Sequence, residues 1–282
     1  MLKKYPPLRI HVWGGLGSQL FAVALTHDIS KRYPTRELTL VLHSSGVTKR
    51  SPEVCELFPE FNYLEVDDFT TRGTHDSLAQ SFSIRSTFRA LLRKFAIHTG
   101  VLAEENNGHS RKVHRWTLSV RGHYFHRTVD RDFLFLLRKR LEEIASINKE
   151  DFQQKIILHY RLGDLLELTN KNNISPHRIV NAFLEMLNTS ELMIFSDSPT
   201  MAVSLLKEDL SESRIKTENL STINTIWAAS QAKAFIGTSS KISYWICLLR
   251  LLLDQQSQSL MPREDRMIIG AITSAEANVG YY

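Results

Sequence analysis

Residues 155–164 read Lys155-Ile156-Ile157-Leu158-His159-Tyr160-Arg161-Leu162-Gly163-Asp164. An apolar strand, Lys155 to His159, opens without a break into a turn that carries a guanidinium, a glycine and a carboxylate. In an open α/β sheet, ligands sit outside the carboxyl ends of the strands. An arginine there offers a planar fork of donors that matches a pyrophosphate better than a lysine's point charge does. Taken alone, the same turn also fits an Arg/Asp pair that merely ties down a loop.

Outward from this strand the pattern repeats. Ser175-Pro176 opens a helix, serine as cap and proline in the first turn, and Ile179, Phe183 and Leu187 recur on its buried face. A strand at 192–195, a helix at 200–207, a short strand at 214–217, a helix at 223–232 and a strand at 234–236 follow. A last helix opens at Ser239-Ser240. Upstream, 8–13 reads as a strand and Gly14-Gly15-Leu16-Gly17 as a turn. Ser18 reads as the N-cap of a helix with face Phe21, Leu25 and Ile29, ended by Pro34. A strand at 38–42 is followed by short elements to about Asp68 and a polar Ser/Thr-rich stretch at 70–83. A helix at 86–97, a loop at 104–111, a strand at 116–122 and a helix at 133–144 complete this half. The polar stretch 146–154 reads as a linker. Alternating strands and helices specify parallel sheets covered on both faces. The expected fold class is therefore α/β, with two Rossmann-like domains at 1–148 and 149–282.

The 282 residues are 43% hydrophobic, enough for two self-sufficient cores without staples. Cys55 and Cys247 lie far apart among apolar neighbours and read as buried thiols in a reducing compartment, with no zinc-ligand spacing. Lys3-Lys4 leads into Tyr5-Pro6-Pro7 rather than into an apolar secretory segment. The longest apolar run, 244–253, is interrupted by Arg250 and falls well short of the ~20 residues of a membrane span. The expected location is cytoplasmic, with the inner membrane face as a peripheral address. A net charge of +5 and a pI of about 9.2 fit an anionic partner: a nucleotide diphosphate, an anionic lipid surface or nucleic acid. Arginines and lysines are spread through helices with few interleaved aromatics, so no nucleic-acid module emerges. The helix at 86–97 sets Leu91, Leu92, Phe95 and Ala96 against Arg85, Arg89, Arg93 and Lys94. That pattern fits either a solvated basic face or contact with a membrane surface.

Three further turns sit between a strand and a helix. In Gly14-Gly15-Leu16-Gly17-Ser18-Gln19, glycines let backbone N–H groups approach a ligand at a positive helix end. It is not the dinucleotide fingerprint, because Gln19 stands where a third glycine belongs. Asp197, in Phe195-Ser196-Asp197-Ser198-Pro199, either accepts hydrogen bonds from a base or ribose or caps the next helix, the cap being slightly favoured. Ile236-Gly237-Thr238-Ser239-Ser240-Lys241 places three hydroxyls at a helix start, as a phosphate cradle or as an ordinary serine cap. Asp130-Arg131-Asp132 has the outline of a metal-binding pair but precedes a helix and reads as its cap. The 11 histidines are scattered, and no metal site is expected.

Taken in order, these pieces resemble the α-1,2-fucosyltransferases of glycosyltransferase family 11 and their bacterial surface-polysaccharide relatives. Gly14-Gly15-Leu16-Gly17-Ser18-Gln19-Leu20-Phe21 resembles the family's Gly-Gly-Leu-Gly-Asn-Gln-Leu/Met-Phe opening. His159-Tyr160-Arg161-Leu162-Gly163-Asp164 resembles its His-x-Arg-x-Gly-Asp signature. Phe195-Ser196-Asp197 matches its Phe-Ser-Asp segment, and Gly122-His123-Tyr124-Phe125 loosely follows its Gly-Tyr-Phe/Trp-Gln block. Ser239-Ser240-Lys241-Ile242-Ser243-Tyr244-Trp245 is similar to its Ser-Ser-Phe-Ser-Trp-Trp close. The chain departs from the pattern at Ser18 (for Asn), His123 (inserted) and Lys241 (for Phe).

The resemblance implies a GT-B-like fold, with two Rossmann-like domains whose parallel sheets face across a cleft. It also implies inverting, metal-independent transfer of fucose from GDP-fucose onto a glycan or lipid-linked oligosaccharide, as in O-antigen synthesis. Arg161 and Asp164 would carry the chemistry, with Glu167 and His159 as further candidates for the base. His159, Arg161, Ser196, Asp197, Thr238, Ser239, Ser240, Gly15 and Gly17 would hold the donor nucleotide. Three alternatives remain: another nucleotide sugar, a non-catalytic nucleotide-binding subunit of a polysaccharide assembly complex, and a dinucleotide oxidoreductase. The last is disfavoured by Gln19 and by the lack of a ribose-binding acid after Leu42.

Overall fold

The computed structural model describes residues 5–44, 52–67, 84–105, 112–162, 176–186, 191–211, 214–253, 258–273 and 279–282, with the backbone alone at 84–90 and 253. The chain divides into two compact units, Met1–Phe133 and Leu134–Tyr282. The division falls inside the helix Arg131–Ile144, upstream of the polar stretch at 146–154. That stretch contains a 3-10 turn, Lys149–Asp151, whose Glu150 N–H is capped by the Asn148 side chain.

Unit 1 is built on a five-stranded parallel sheet in the order β3-β2-β1-β5-β4. The strands are β1 (Leu8–Trp13), β2 (Leu38–His43), β3 (Tyr63–Val66), β4 (Leu102–Glu104) and β5 (Ser119–Arg121). Along β1, Leu8, Ile10 and Val12 are buried, and strand alternation puts Arg9, His11 and Trp13 on the other face. The helix Leu16–Arg32 follows directly, and burial along Leu16 to Thr26 goes almost all round it rather than along a single stripe.

The helix begins at Leu16, because extended Gly15 already accepts from the Ser18 and Gln19 amides. Ser18 therefore lies in the first turn and is not the N-cap. The strand expected at 116–122 is confined to 119–121, because Thr117 closes a turn onto His114. Cys247 is buried as expected, whereas Cys55 is half-buried.

Unit 2 carries a six-stranded parallel sheet in the order β11-β10-β9-β6-β7-β8. Its strands are β6 (Ile156–Tyr160), β7 (Leu192–Ser196), β8 (Ile215–Thr217), β9 (Ala234–Gly237), β10 (Gln258–Met261) and β11 (Gly280–Tyr281). Counted from β6 this is 3-2-1-4-5-6, the Rossmann order. Every residue of β6 is buried, as a continuous apolar run in a doubly covered sheet must be. Ile156, Leu158 and Tyr160 pack in one cluster with Ile179, Phe183, Ile194, Leu206 and Ile236. A helix does open after Ser239-Ser240, at Lys241, but it is not the last one. After Lys241–Leu253 come β10, the helix Arg266–Ile272 and β11. Among the described residues, no helix is long and apolar enough to cross a membrane.

Candidate functional site

Chain order makes one place in unit 2 special. From β6 the chain builds β7 and β8 on one side, then returns to lay β9 on the other side of β6. The crevice at such a reversal is where an open α/β sheet receives its ligand. Arg161 follows β6 and Thr238-Ser239-Ser240 follows β9, so both flank this crevice.

Asp197 at the end of β7 holds the arginine. Arg161 Nε lies 3.0 Å from Asp197 Oδ2, with both side chains 27% exposed. The other oxygen, Oδ1, accepts the Leu162 N–H at 2.9 Å. Asp197 is thus a clamp on the Arg161 turn and not a helix cap. The helix Pro199–Leu206 has Ser198 at its N-cap, whose own side chain makes no capping bond. Ser196 Oγ accepts the Ser198 N–H, shaping the same turn.

Thr238 joins the two sides of the crevice. Its hydroxyl donates to the His159 carbonyl and accepts the Arg161 N–H, both at 3.0 Å. His159 lies behind, buried, with Nδ1 2.8 Å from Ser243 Oγ and 3.4 Å from Ser240 Oγ. Burial first, and Arg161 second, bring its imidazole down to about 4 despite Asp197, so the ring is neutral at pH 7. Ser240 Oγ accepts the Ser243 N–H and is a true N-cap of the helix Lys241–Leu253. Ser239 donates to the buried carboxylate of Asp265, which also accepts from the Tyr244 hydroxyl at 2.9 Å. Burial pushes the Asp265 pKa up against these two donors.

The three hydroxyls expected as a phosphate cradle are therefore engaged in building the turn. What the turn presents is a helix N-terminus, the natural seat for an anion. Lys241 opens that helix, and burial lowers its ammonium to about 8. Space is tight: a Cβ on Gly237 would fall inside van der Waals contact of Met261 Sδ and 3.0 Å from Ser243 Cβ. Gly163, Asp164 and Glu167 lie outside the described residues.

Unit 1 has the corresponding reversal between β1 and β5. Gly14 takes φ +99, and a Cβ there would sit 2.9 Å from Ser18 Oγ. Gln19 Nε2 donates to the Gly14 carbonyl, and Gln19 Oε1 accepts the Val54 N–H, which fixes the turn. No acidic residue occupies the first turn of Leu16–Arg32. After β5, buried Tyr124 takes φ 59 and puts its hydroxyl within reach of the His11 and Val120 carbonyls.

At the ends of β1 and β2, Trp13 and His43 stack with centroids 4.3 Å apart, and His43 Nε2 lies 3.0 Å from His11 Nδ1. The trace of this aromatic group in the sequence is the alternation Arg9, His11, Trp13. A cavity of about 440 Å³ is walled by Ala24, Leu25, Asp28, Arg32, Arg127 and Asp130. It lies along the flank of the Leu16–Arg32 helix and not at the strand ends.

The structure thus brings His159, Arg161, Ser196, Asp197, Thr238, Ser239 and Ser240 to one sheet edge of unit 2. Gly15 and Gly17 belong to unit 1. Asp130 and Asp132 both grip Lys31 Nζ, at 2.6 and 2.7 Å. Among the described residues, no group of three or more His, Cys, Asp or Glu side chains is placed to hold a metal ion.

No protein-family model matches the chain, and no curated protein matches it in sequence. Solved structures do match. A heptosyltransferase of E. coli with ADP-2-deoxy-2-fluoro heptose aligns over 98% of this chain and 93% of its own, with a TM-score of 0.50 and 8% identity. A glycosyl transferase family 9 protein of Veillonella parvula aligns over 100% and 88%, with a TM-score of 0.49 and 11% identity. The E. coli ADP-heptose heptosyltransferase II aligns over 98% and 90%, with a TM-score of 0.47 and 10% identity. At 8% identity the likeness to the first of these, at a TM-score of 0.50, concerns the fold alone. The chain has the α/β architecture of GT-B proteins, with two Rossmann-like units each built on a parallel sheet.

Proposed function

We propose that the chain is an inverting glycosyltransferase that uses a nucleotide diphosphate sugar and needs no metal. Its motifs favour fucose from GDP-fucose as the donor and a surface-polysaccharide glycan, such as an O-antigen precursor, as the acceptor. One observation carries the reading. The guanidinium of Arg161, held by Asp197, stands at the β6/β9 reversal together with the N-terminus of the helix Lys241–Leu253.

The chemistry follows from that arrangement. An acceptor oxygen forms a bond to the anomeric carbon while the bond from that carbon to the diphosphate breaks. The leaving electron pair collects on the bridging oxygen. Preorganised donors aimed at developing charge are the largest single contribution in such a step. Arg161 and the first-turn N–H groups supply them, and Lys241 adds a cation whose lowered pKa leaves part of the population neutral near pH 8.

The acceptor's proton needs a base. Asp164 is the first candidate by position, and Glu167 the second. His159 is unsuited, since it is buried, engaged with Ser243 and too weakly basic at about 4.

The test is thermal stabilisation of the full chain by GDP, UDP, dTDP and NAD and by the matching sugars, with and without EDTA, followed by single-turnover sugar transfer. Stabilisation by GDP that EDTA leaves unchanged, with transfer to a glycan, supports the reading. Stabilisation by NAD alone ends it, and binding without transfer reduces the chain to a nucleotide-binding subunit.

A further inference from the structure

The helix Ile84–His98 on unit 1 turns a group of apolar side chains to water. A helix on a globular protein ordinarily turns its apolar stripe to the core and its charges to water. Here Leu91, Leu92 and Phe95 are 61%, 51% and 66% exposed. Ala96 and Ile97 are half-buried, and a charged residue adds a fixed contact. Arg93 Nε and Nη2 reach the two oxygens of Glu104 at 2.6 and 2.8 Å, and the Glu104 side chain is 6% exposed. A bidentate pair to a buried carboxylate fixes rotation about the helix axis far better than a surface pair does. The outward direction of the apolar stripe is therefore built in.

Single exposed apolar side chains need no explanation, but a group on one face of one helix does. Leu91 and Phe95 are four residues apart and Leu92 stands beside them, so the three share a face. At the C-terminal end of the helix, Trp116 is 46% exposed, with its indole N–H bonded to the Thr99 carbonyl. The Arg115 guanidinium lies over the Trp116 ring, 5.8 Å from its centroid.

Charge selects the partner. The helix holds Arg85, Arg89, Arg93 and Lys94 and no acidic residue, in a chain whose whole net charge is +5. A second copy docked on this face would set like charge against like. An anionic bilayer surface accepts both halves of the pattern: apolar side chains enter the headgroup boundary, cations meet the lipid phosphates, and an indole rests at the interface. We propose that the Ile84–His98 helix, with Trp116 at its end, seats unit 1 on an anionic phospholipid surface. This inference stands whether or not the chain transfers a sugar.

The experiment is flotation of the full chain with vesicles of phosphatidylcholine alone or mixed with phosphatidylglycerol, at low and at high salt. The unchanged chain floats with the mixed vesicles at low salt, is released at high salt, and stays behind with the neutral ones. Leu91→Gln with Phe95→Gln lowers partitioning on the order of tenfold or more, and Lys94→Glu lowers it at least about fivefold. Both variants keep the parent's circular dichroism and melting temperature, since the altered side chains are exposed. Three results overturn the proposal: no flotation with mixed vesicles at low salt, undiminished flotation of the double variant, or a solution dimer that the double variant abolishes. The last would reassign the face to self-association.

Discussion

Arg161 Nε stands 3.0 Å from Asp197 Oδ2, and Asp197 Oδ1 holds the Leu162 N–H at 2.9 Å. One carboxylate thus aims the guanidinium and fixes the backbone that carries it. Arg161→Ala should cost on the order of 10²–10³ in turnover while leaving the thermal transition near its original place, because the side chain is partly exposed. Arg161→Lys should recover little, since a point charge cannot reproduce the fork. Asp197→Asn keeps an acceptor for Leu162 but loses the ion pair, so its loss should be the smaller of the two. Sugar-transfer rates of the three variants beside their melting curves check this. Near-parental turnover in Arg161→Ala would remove the arginine from the mechanism.

The buried imidazoles predict how stability responds to acid. His159 and His11 are both lowered to about 4, chiefly by burial. A histidine whose folded pKa lies below its unfolded value of 6.5 binds fewer protons in the native state over that interval. Stability is then complete above about pH 6.5 and falls as pH drops toward 4, by at most roughly 1.4 kcal/mol per pH unit for each group. Glu105 and Asp265, raised by burial, act in the opposite sense. The direct measurement is therefore on the ring: the His159 carbon-bound proton resonance should keep its neutral-imidazole shift at pH 5. Titration near pH 6.5 would contradict the burial.

Much of this architecture is legible in the sequence because a doubly covered parallel strand writes itself as an unbroken apolar run. The strands 156–160 and 192–196 announce themselves in that way, whereas 8–13 shows as Leu8, Ile10 and Val12 alternating with Arg9, His11 and Trp13. β10 and β11 do neither: Gln258–Met261 is short and half polar, and Gly280–Tyr281 is only a pair of residues. Asp197 precedes Ser-Pro at a helix start, which is where a capping acid belongs. Its actual partner, Arg161, comes from another strand and could not be inferred from neighbours in the chain. The same limit hid the stack of Trp13 on His43, since only the β1/β2 register places them side by side. For the basic helix, periodicity identified two faces but not which one points inward. Glu104, in a strand the sequence did not reveal, decides that.

Gly122 tests the unit 1 reversal. It takes φ +152, and a Cβ there would sit 2.8 Å from Glu105 Cβ and 3.2 Å from the Glu105 carbonyl oxygen. Neither can retreat freely, because the Glu105 amide is bonded to the Arg121 carbonyl and its carboxylate is paired with Arg127. Gly122→Ala should therefore lose about 1–3 kcal/mol, seen as a lower denaturant midpoint with an unchanged slope. An unaltered midpoint would mean the loop relaxes without cost.

Arg250 looks like an interruption in an apolar helix, yet it fastens the far side of the unit 2 sheet. Its residue is 1% exposed. Nε donates to Ser259 Oγ at 3.0 Å, Nη1 to the Ala229 and Ala232 carbonyls, and Nη2 to the Lys233 and Gln258 carbonyls at 3.2 and 3.1 Å. The guanidinium thereby closes the end of the helix Thr222–Gln231 and binds the start of β9 to the start of β10. Arg250→Met preserves length and bulk but leaves buried carbonyls without donors, each worth about 1–3 kcal/mol. With four carbonyls affected, we expect a total loss of at least about 4 kcal/mol. Arg250→Lys should rescue only part of it, because three rotating donors cannot reach all these acceptors at once. Equilibrium unfolding of both variants decides the matter, and a methionine variant as stable as the parent would show that water satisfies the carbonyls instead.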